Sequence, residues 1–214
     1  MIQAVISDFG GVLTTPLFGG FSRAMAAQGL PIEALGKAMV RATERHGENP
    51  LFDFERGRLT EAQFFDLLGD ALEEEAGRRV PLQDFAEHYF AHLSPNGEMI
   101  EHLRRLRDER GMRLALLTNN VREWEARWRS MLPVDELFEL VVDSAFVGMR
   151  KPEPGIYELT LERLGLPGEA CAFVDDLEVN CEAAREHGIV PIRFESTEQA
   201  IRDLDAVLDG AGPR

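Results

Sequence analysis

Short runs of consecutive apolar residues recur along the chain and alternate with stretches of helical periodicity. Continuous runs rich in Val, Ile and Leu are typical of strands that are covered on both faces. Such runs occur at Ile2–Ser7, Arg113–Leu117, Leu140–Asp143, Cys171–Val174 and Val190–Phe194. Helical stretches follow the later runs at Val121–Met131, Glu153–Leu164 and Glu178–His187. This alternation predicts an α/β fold with a parallel sheet that is doubly wound by helices.

A region without strand-like runs separates the first predicted strand from the second. Its amphipathic stretches predict three helices, at Ala34–Arg45, Glu61–Glu75 and Leu82–His92. Thr60 is a suitable N-cap for the second of them. An insertion at the carboxyl end of a strand lies where open α/β sheets bind ligands. We therefore predict a helical cap of residues 15–93, inserted into a core of residues 1–14 and 94–214.

The net charge of this 214-residue chain limits its partners. At −15, its long-range field repels nucleic acid and acidic membrane surfaces. No apolar run is long enough to span a membrane, and the chain begins with a strand-like run instead of a basic leader. We expect a cytoplasmic monomer or homodimer without a nucleic-acid or membrane partner. The two cysteines, Cys171 and Cys181, are predicted to be small buried residues without a chemical role.

Polar and charged side chains follow four of the apolar runs. The first is followed by Asp8, the second ends in Thr118 and Asn119, and Lys151 comes shortly after the third. Taken singly, each has a structural explanation as a turn, a helix cap or a solvated lysine. The fourth run ends in the adjacent carboxylates Asp175-Asp176. These can cap the next helix, but like charges at one place are most simply explained by a divalent metal.

The order of these groups is far more specific than any one of them, and it resembles the haloacid dehalogenase superfamily. Four segments are similar to the four motifs of that family: Asp8-Phe9-Gly10-Gly11-Val12-Leu13, Leu117-Thr118-Asn119-Asn120, Lys151-Pro152 and Asp175-Asp176. The resemblance covers nearly the whole chain. Phe54-Glu55-Arg56-Gly57 and the helix that starts near Thr60 are similar to the family's helical cap.

The resemblance implies a hydrolase of small phosphorylated metabolites that works through an aspartyl-phosphate. Asp8 would then be the nucleophile, Thr118 the hydroxyl that binds the phosphoryl group, and Lys151 the cation that bridges nucleophile and phosphate. Asn119 would orient the substrate. Gly10 and Gly11 would belong to the loop that binds it. Positioning and charge neutralisation are the main requirements of phosphoryl transfer, which agrees with this set of residues.

The resemblance also implies Mg²⁺ as the cofactor. The ion would be bound by the carboxylates of Asp8 and Asp176 and by the backbone carbonyl of Gly10. Asp175 would act directly or through water. Asn180 matches a position that is common where the last motif is Asp-Asp.

One position departs from the pattern of the family's phosphatases. Most of them have a second Asp two residues after the nucleophile, which protonates the leaving group, whereas this chain has Gly10. Two alternatives therefore stay open. A weakly active or inactive binding or regulatory protein would keep the fold and the metal site. A 2-haloacid dehalogenase also lacks the second Asp, but it usually replaces the final acidic pair, so Asp175-Asp176 favours a phosphatase.

Several other residues have no assigned chemistry. Trp124 and Trp128 stand four residues apart and are expected to pack between helix and sheet, because helical spacing alone explains them. Arg23, His46 and Arg56 of the predicted cap are possible substrate contacts, and the sequence favours none of them.

Overall fold

The computed structural model describes residues 1–210, which contain one sheet of five parallel strands in the order β3-β2-β1-β4-β5. The strands are β1 (Ala4–Ser7), β2 (Arg113–Thr118), β3 (Leu140–Asp143), β4 (Cys171–Asp175) and β5 (Val190–Arg193). Each predicted strand is therefore present within two residues of its predicted ends. The α/β class and the parallel sheet are confirmed.

Twelve α-helices accompany the sheet within residues 1–210. The first five follow β1 in the chain: α1 (Leu17–Ala27), α2 (Ile32–His46), α3 (Pro50–Glu55), α4 (Glu61–Ala76) and α5 (Phe85–Phe90). The others are α6 (Gly97–Arg110), α7 (Glu125–Arg129), α8 (Val134–Leu137), α9 (Ser144–Val147), α10 (Pro154–Leu164), α11 (Glu178–Glu186) and α12 (Thr197–Leu208). In the described part of the chain, no helix has the length and apolar character needed to cross a bilayer.

Helices cover both faces of the sheet, as double winding requires. Successive strand residues point to opposite faces, so Val5 and Ile6 of β1 belong to different buried clusters. Val5 shares one cluster with Leu103 of α6 and Leu204 of α12. Ile6 shares the other with Tyr157 of α10. The two-sided burial explains why the strands read as continuous apolar runs.

The strand order places the ends of β1 and β4 at the centre of the sheet. After β3 the chain crosses to the other side of β1, so the direction of winding changes between β1 and β4. Ser7 of β1 pairs with Val174 of β4 and with Leu116 of β2. Residues that directly follow these positions therefore converge at one point of the carboxyl edge, where open α/β sheets bind ligands.

The two segments that connect the helical region to the rest of the chain lie side by side. Thr14 forms a β-bridge with Pro95, and the Thr15 amide donates to the Ser94 carbonyl over 2.9 Å. The division into a core of residues 1–14 and 94–214 and a cap of residues 15–93 stays a prediction, and residues 211–214 lie outside the described part.

The helices differ from the predictions in several places. Thr60 is the N-cap of helix α4, as predicted, and forms a capping box with Gln63, but the predicted helix Leu82–His92 is only the short α5. The predicted helix Val121–Met131 is confirmed only over Glu125–Arg129. It is a 3₁₀ turn at Arg122–Trp124 followed by α7, because Val121 is extended and its amide donates to the Asn120 side chain.

Candidate active site

A buried lysine joins two carboxylates at the carboxyl edge of the sheet. Lys151 Nζ lies 2.6 Å from Asp8 Oδ1, after β1, and 2.6 Å from Asp175 Oδ2, at the end of β4. The Lys151 side chain is 2% exposed, so it offers its charge to these partners and not to bulk water. Asp175 also accepts hydrogen bonds from the Leu177 amide and from Asn180 Nδ2. The sheet topology thus brings together three residues that are far apart in the sequence.

Asp176 completes a cluster of three carboxylates. One oxygen from each of Asp8, Asp175 and Asp176 lies within 4.8 Å of the other two. Gly11 makes room for Asp176, because an ideal Cβ at residue 11 would stand 2.5 Å from Asp176 Oδ2. The φ of +81° at Gly11 also favours glycine. The close contact with the Asp176 carboxylate therefore requires glycine at position 11.

The electrostatics of the cluster favour a bound cation. Burial raises the pKa of Asp8 to about 7, Lys151 opposes this, and the neighbouring carboxylates add to it. Burial and the charge of Asp175 also raise the pKa of Asp176. Burial acts to lower the pKa of Lys151, but Asp175 and Asp8 outweigh it and raise that pKa. Three acids and one lysine leave an excess of negative charge, which a divalent metal would neutralise.

The donor set fits Mg²⁺, which prefers carboxylate and carbonyl oxygens. Both oxygens of Asp175 are engaged by protein donors. By contrast, no side-chain hydrogen bond or ion pair within residues 1–210 engages the Asp176 carboxylate, and none engages the Gly10 carbonyl oxygen. Asp8, Asp176 and Gly10 therefore retain oxygens for a metal, while Asp175 holds Lys151.

A cavity of about 240 Å³ begins at Phe9 and Gly10, the residues that follow Asp8, although none of the three carboxylates nor Lys151 lines it. Gly10 and Thr118 form part of its wall on the side of the sheet. Thr118 is buried at the end of β2, and its hydroxyl makes no hydrogen bond to protein within residues 1–210. Its predicted role as a phosphoryl-binding hydroxyl stays a prediction, but the group is available for it.

Two other predicted substrate-binding residues already have protein partners. The side chain of Asn119 accepts from the Lys151 amide over 2.8 Å and donates to the Lys151 carbonyl over 2.9 Å. The Gly11 amide donates to Thr14 Oγ1 over 3.2 Å. Asn119 therefore holds the lysine loop, and its predicted role in orienting the substrate stays a prediction.

The cavity wall also contains residues that the sequence did not single out. Leu17 of α1 fills the space beside Gly10, where an ideal Cβ would stand 2.7 Å from Leu17 Cδ1. Tyr89 of α5 and Glu55 of α3 line the same cavity. Glu55 Oε2 accepts from Arg150 Nε over 2.6 Å, which connects the helical region to the residue before Lys151. The similarity of Phe54-Glu55-Arg56-Gly57 to the family's cap was the one sequence signal for these contacts.

The tryptophans are buried, as expected. Trp128 packs edge-on against Phe9 with ring centroids 5.2 Å apart, and Trp124 Nε1 donates to Glu61 Oε1 over 2.6 Å. Both also line the cavity. They thus form part of its wall as well as of the hydrophobic core.

The three cationic residues of the predicted cap do not line this cavity. Arg56 pairs with Glu48 and Glu153, and His46 Nε2 lies 3.0 Å from Asp53 Oδ2. Arg23 is exposed. The sequence favoured none of them as a substrate contact, and the structure gives them other surroundings.

Comparisons with known proteins agree with this geometry. The sequence profile described as haloacid dehalogenase-like hydrolase matches residues 2–188. The chain is 32% identical over 213 residues to acyl-CoA dehydrogenase family member 10 of Mus musculus, covering 96% of this chain and only 19% of the mouse protein. It is 26% identical over 217 residues to the phosphorylated carbohydrates phosphatase of Thermotoga maritima, covering 97% and 91% of the two chains.

A solved structure shows the same fold. It is a HAD family enzyme of Bacteroides thetaiotaomicron in complex with magnesium and inorganic phosphate. Its TM-score is 0.65 at 24% identity, covering 90% of this chain and 94% of the other.

Proposed function

Because this chain belongs to the haloacid dehalogenase-like hydrolases, we propose that it is a Mg²⁺-dependent phosphatase that cleaves small phosphate monoesters by attack of Asp8. The observation that carries this proposal is the convergence of Asp8, Asp175 and Asp176 within 4.8 Å, with Lys151 Nζ 2.6 Å from the first two. One fixed cation does not balance three clustered acids, so the remaining negative charge suits a divalent metal, which would in turn allow an anionic phosphoryl group to bind.

The proposed reaction has two displacement steps. The Asp8 carboxylate attacks phosphorus, the bond from phosphorus to the ester oxygen breaks, and the leaving alkoxide takes a proton from solvent water. Water then cleaves the aspartyl-phosphate, which releases inorganic phosphate and restores Asp8. Lys151, held by Asp175, keeps its charge beside the nucleophile and stabilises the phosphoryl oxygens. The Thr118 hydroxyl donates to one of those oxygens.

The metal would be held by Asp8, Asp176 and the Gly10 carbonyl, with Asp175 in an outer position. When bound, Mg²⁺ neutralises charge on the transferring phosphoryl group. A HAD family enzyme of known structure was obtained with magnesium and inorganic phosphate, which supports this choice of ion. The acid pair also argues against a dehalogenase, which needs no metal.

The rate of the proposed phosphatase depends on which group protonates the leaving alcohol. Gly10 has no side chain to donate a proton, and Leu17 fills the adjacent space. A binding protein that kept the metal site is therefore the second candidate function. It predicts tight binding of phosphate esters without turnover.

The test is a panel of phosphate monoesters assayed for phosphate release with saturating Mg²⁺ and again with a chelator. Asp8→Asn is the control, because the amide has a similar shape but is a poor nucleophile. Release that needs both Mg²⁺ and Asp8 supports the phosphatase. Binding without release across the panel supports the second candidate, and halide release from 2-haloacids with the chelator present supports a dehalogenase.

A further inference from the structure

The cavity beside the acidic cluster has two chemically different ends. On the side of the sheet, its wall includes the polar residues Thr118, Asn119 and Asn120. On the side of the helical region, nearly all lining side chains are hydrocarbon or thioether, and Leu35, Met39 and Leu51 are only partly buried there. A molecule that fills the cavity thus meets polar groups at one end and an apolar wall at the other.

The helical wall offers few partners to a polar ligand. Among the described residues that line the cavity, Glu55 alone carries a charge, and its carboxylate is paired with Arg150. No Lys, Arg or His of residues 15–93 lines it. Two arginines of α2 pair with acids of α4, Arg41 with Glu75 and Arg45 with Glu74. The hydroxyls of a sugar or a second carboxylate would lose more hydrogen bonds to water than the Tyr89 hydroxyl of this wall could replace.

We propose that the substrate is the phosphate ester of an apolar aliphatic or aromatic alcohol, whose hydrocarbon part binds against this helical wall. The inference rests on the proposed phosphatase function and names the substrate class of that same site. The volume of the cavity, about 240 Å³, is smaller than the roughly 300–1,000 Å³ typical of sites for drug-sized ligands. The fitting alcohol is therefore of short or medium length. The relative from Thermotoga maritima is named for phosphorylated carbohydrates, so sugar phosphates are the natural competing class.

The test compares kcat/KM for phosphate release from butyl, hexyl and octyl phosphate with that from glycerol 3-phosphate and glucose 6-phosphate. All five esters are assayed with saturating Mg²⁺ and below any micelle concentration. The alkyl esters have primary alcohols of nearly equal basicity, so differences among them report binding of the hydrocarbon. We expect kcat/KM to rise roughly fourfold for each buried methylene, about fifteenfold from butyl to hexyl, until the cavity is full.

A variant pair locates the effect in the cavity. Met39→Gln keeps the approximate shape of a lining side chain but makes it polar, and it should lower kcat/KM for hexyl phosphate about tenfold while sparing glycerol 3-phosphate. Val40→Gln is the matched control, because Val40 is the next residue of α2, is 60% exposed and does not line the cavity. It should change neither value. The wild-type series needs no variant and decides the question even if Met39→Gln is unstable.

Equal or better use of glycerol 3-phosphate or glucose 6-phosphate, with Mg²⁺-dependent release intact, would overturn the apolar substrate and leave the phosphatase standing. A flat alkyl series would do the same. Absence of release from every ester would instead overturn the phosphatase and this inference together.

Discussion

The side chain of Leu17 occupies the space into which a side chain at position 10 would project. Leu17 Cδ1 is 2.7 Å from the ideal Cβ position of Gly10. The φ of Gly10 is not in the left-handed region, so its backbone would accept other residues. Most phosphatases of the family have an acid at this position. This chain has Gly10 there, and the side chain of Leu17 from α1 occupies the space that the acid would fill.

Restoring the acid should therefore be most effective when Leu17 is shortened. In the Gly10→Asp/Leu17→Ala double variant, the new carboxyl can protonate an alkoxide leaving group, a role that typically contributes about 10²- to 10⁴-fold. We expect kcat/KM for hexyl phosphate to rise relative to Leu17→Ala alone, and to rise less for p-nitrophenyl phosphate, whose phenolate leaves without a proton. Gly10→Asp with Leu17 present should gain less. A wild-type rate that hardly depends on leaving-group pKa would mean that another group already supplies the proton.

The two adjacent acids should respond differently to loss of charge. Asp176→Asn removes a carboxylate oxygen that no other residue within 1–210 engages, so Mg²⁺ affinity should fall by at least the roughly 10- to 100-fold that loss of an outer partner costs. Without metal, the variant should be no less stable than wild type, because repulsion from Asp175 is removed. Calorimetric titration with Mg²⁺ measures the affinity, and unchanged affinity would exclude Asp176 as a ligand.

Asp175→Asn is the contrasting variant. It removes one of the two charged partners of a buried lysine, which keeps Asp8, so the loss of stability should be smaller than the roughly 3–5 kcal/mol typical when a buried charge is left without any partner. Urea unfolding in chelator should show this loss for Asp175→Asn alone. Equal stability of both variants would contradict the division into one ligand and one structural acid.

Much of this site follows from the sequence because it depends on strand ends. Parallel strands with apolar runs bring the residues after them to one edge, so the sequence alone suffices to place Asp8, Thr118 and Asp175 together. Helix α1 could not be predicted, because Gly19 and Gly20 weaken helix propensity. Gly20 instead allows α1 to pack closely against α5, because an ideal Cβ there would be 2.8 Å from the Tyr89 ring.

The cavity wall shows a second limit of the sequence. Leu17 and Glu55 reach the site only through packing between distant segments, and no spacing in the sequence reports such contacts. The partners of Asn119 are equally hidden, because a Thr-Asn-Asn turn does not reveal that one amide holds the Lys151 backbone.

The carboxyl of Asp143 should give the stability of the protein a pH dependence. Burial raises its pKa to about 6 from the ordinary 3.8, although Oδ1 accepts from the Ala145 amide. Within residues 1–210, its Oδ2 has no hydrogen-bond partner. Because the folded pKa exceeds the unfolded one, the stability contributed by this group is fully present below about pH 4 and is lost as the pH rises through about 6.

Asp143→Asn does not titrate and keeps an oxygen for the Ala145 amide, so it isolates this effect. The free energy of unfolding of wild type minus that of the variant should fall by about 2 kcal/mol between about pH 4.5 and about pH 7.5. Urea unfolding at both values measures this difference. A constant difference would mean that Asp143 has an ordinary pKa in the folded protein.

The most direct test of the proposed chemistry is phosphate release from hexyl phosphate by wild type and Asp8→Asn at saturating Mg²⁺, with thermal unfolding as the check on folding. Loss of the nucleophile should lower kcat by about 10⁴-fold or more, while the variant stays folded and still binds the ester. A folded Asp8→Asn variant that releases phosphate at a rate comparable to wild type would contradict attack by Asp8.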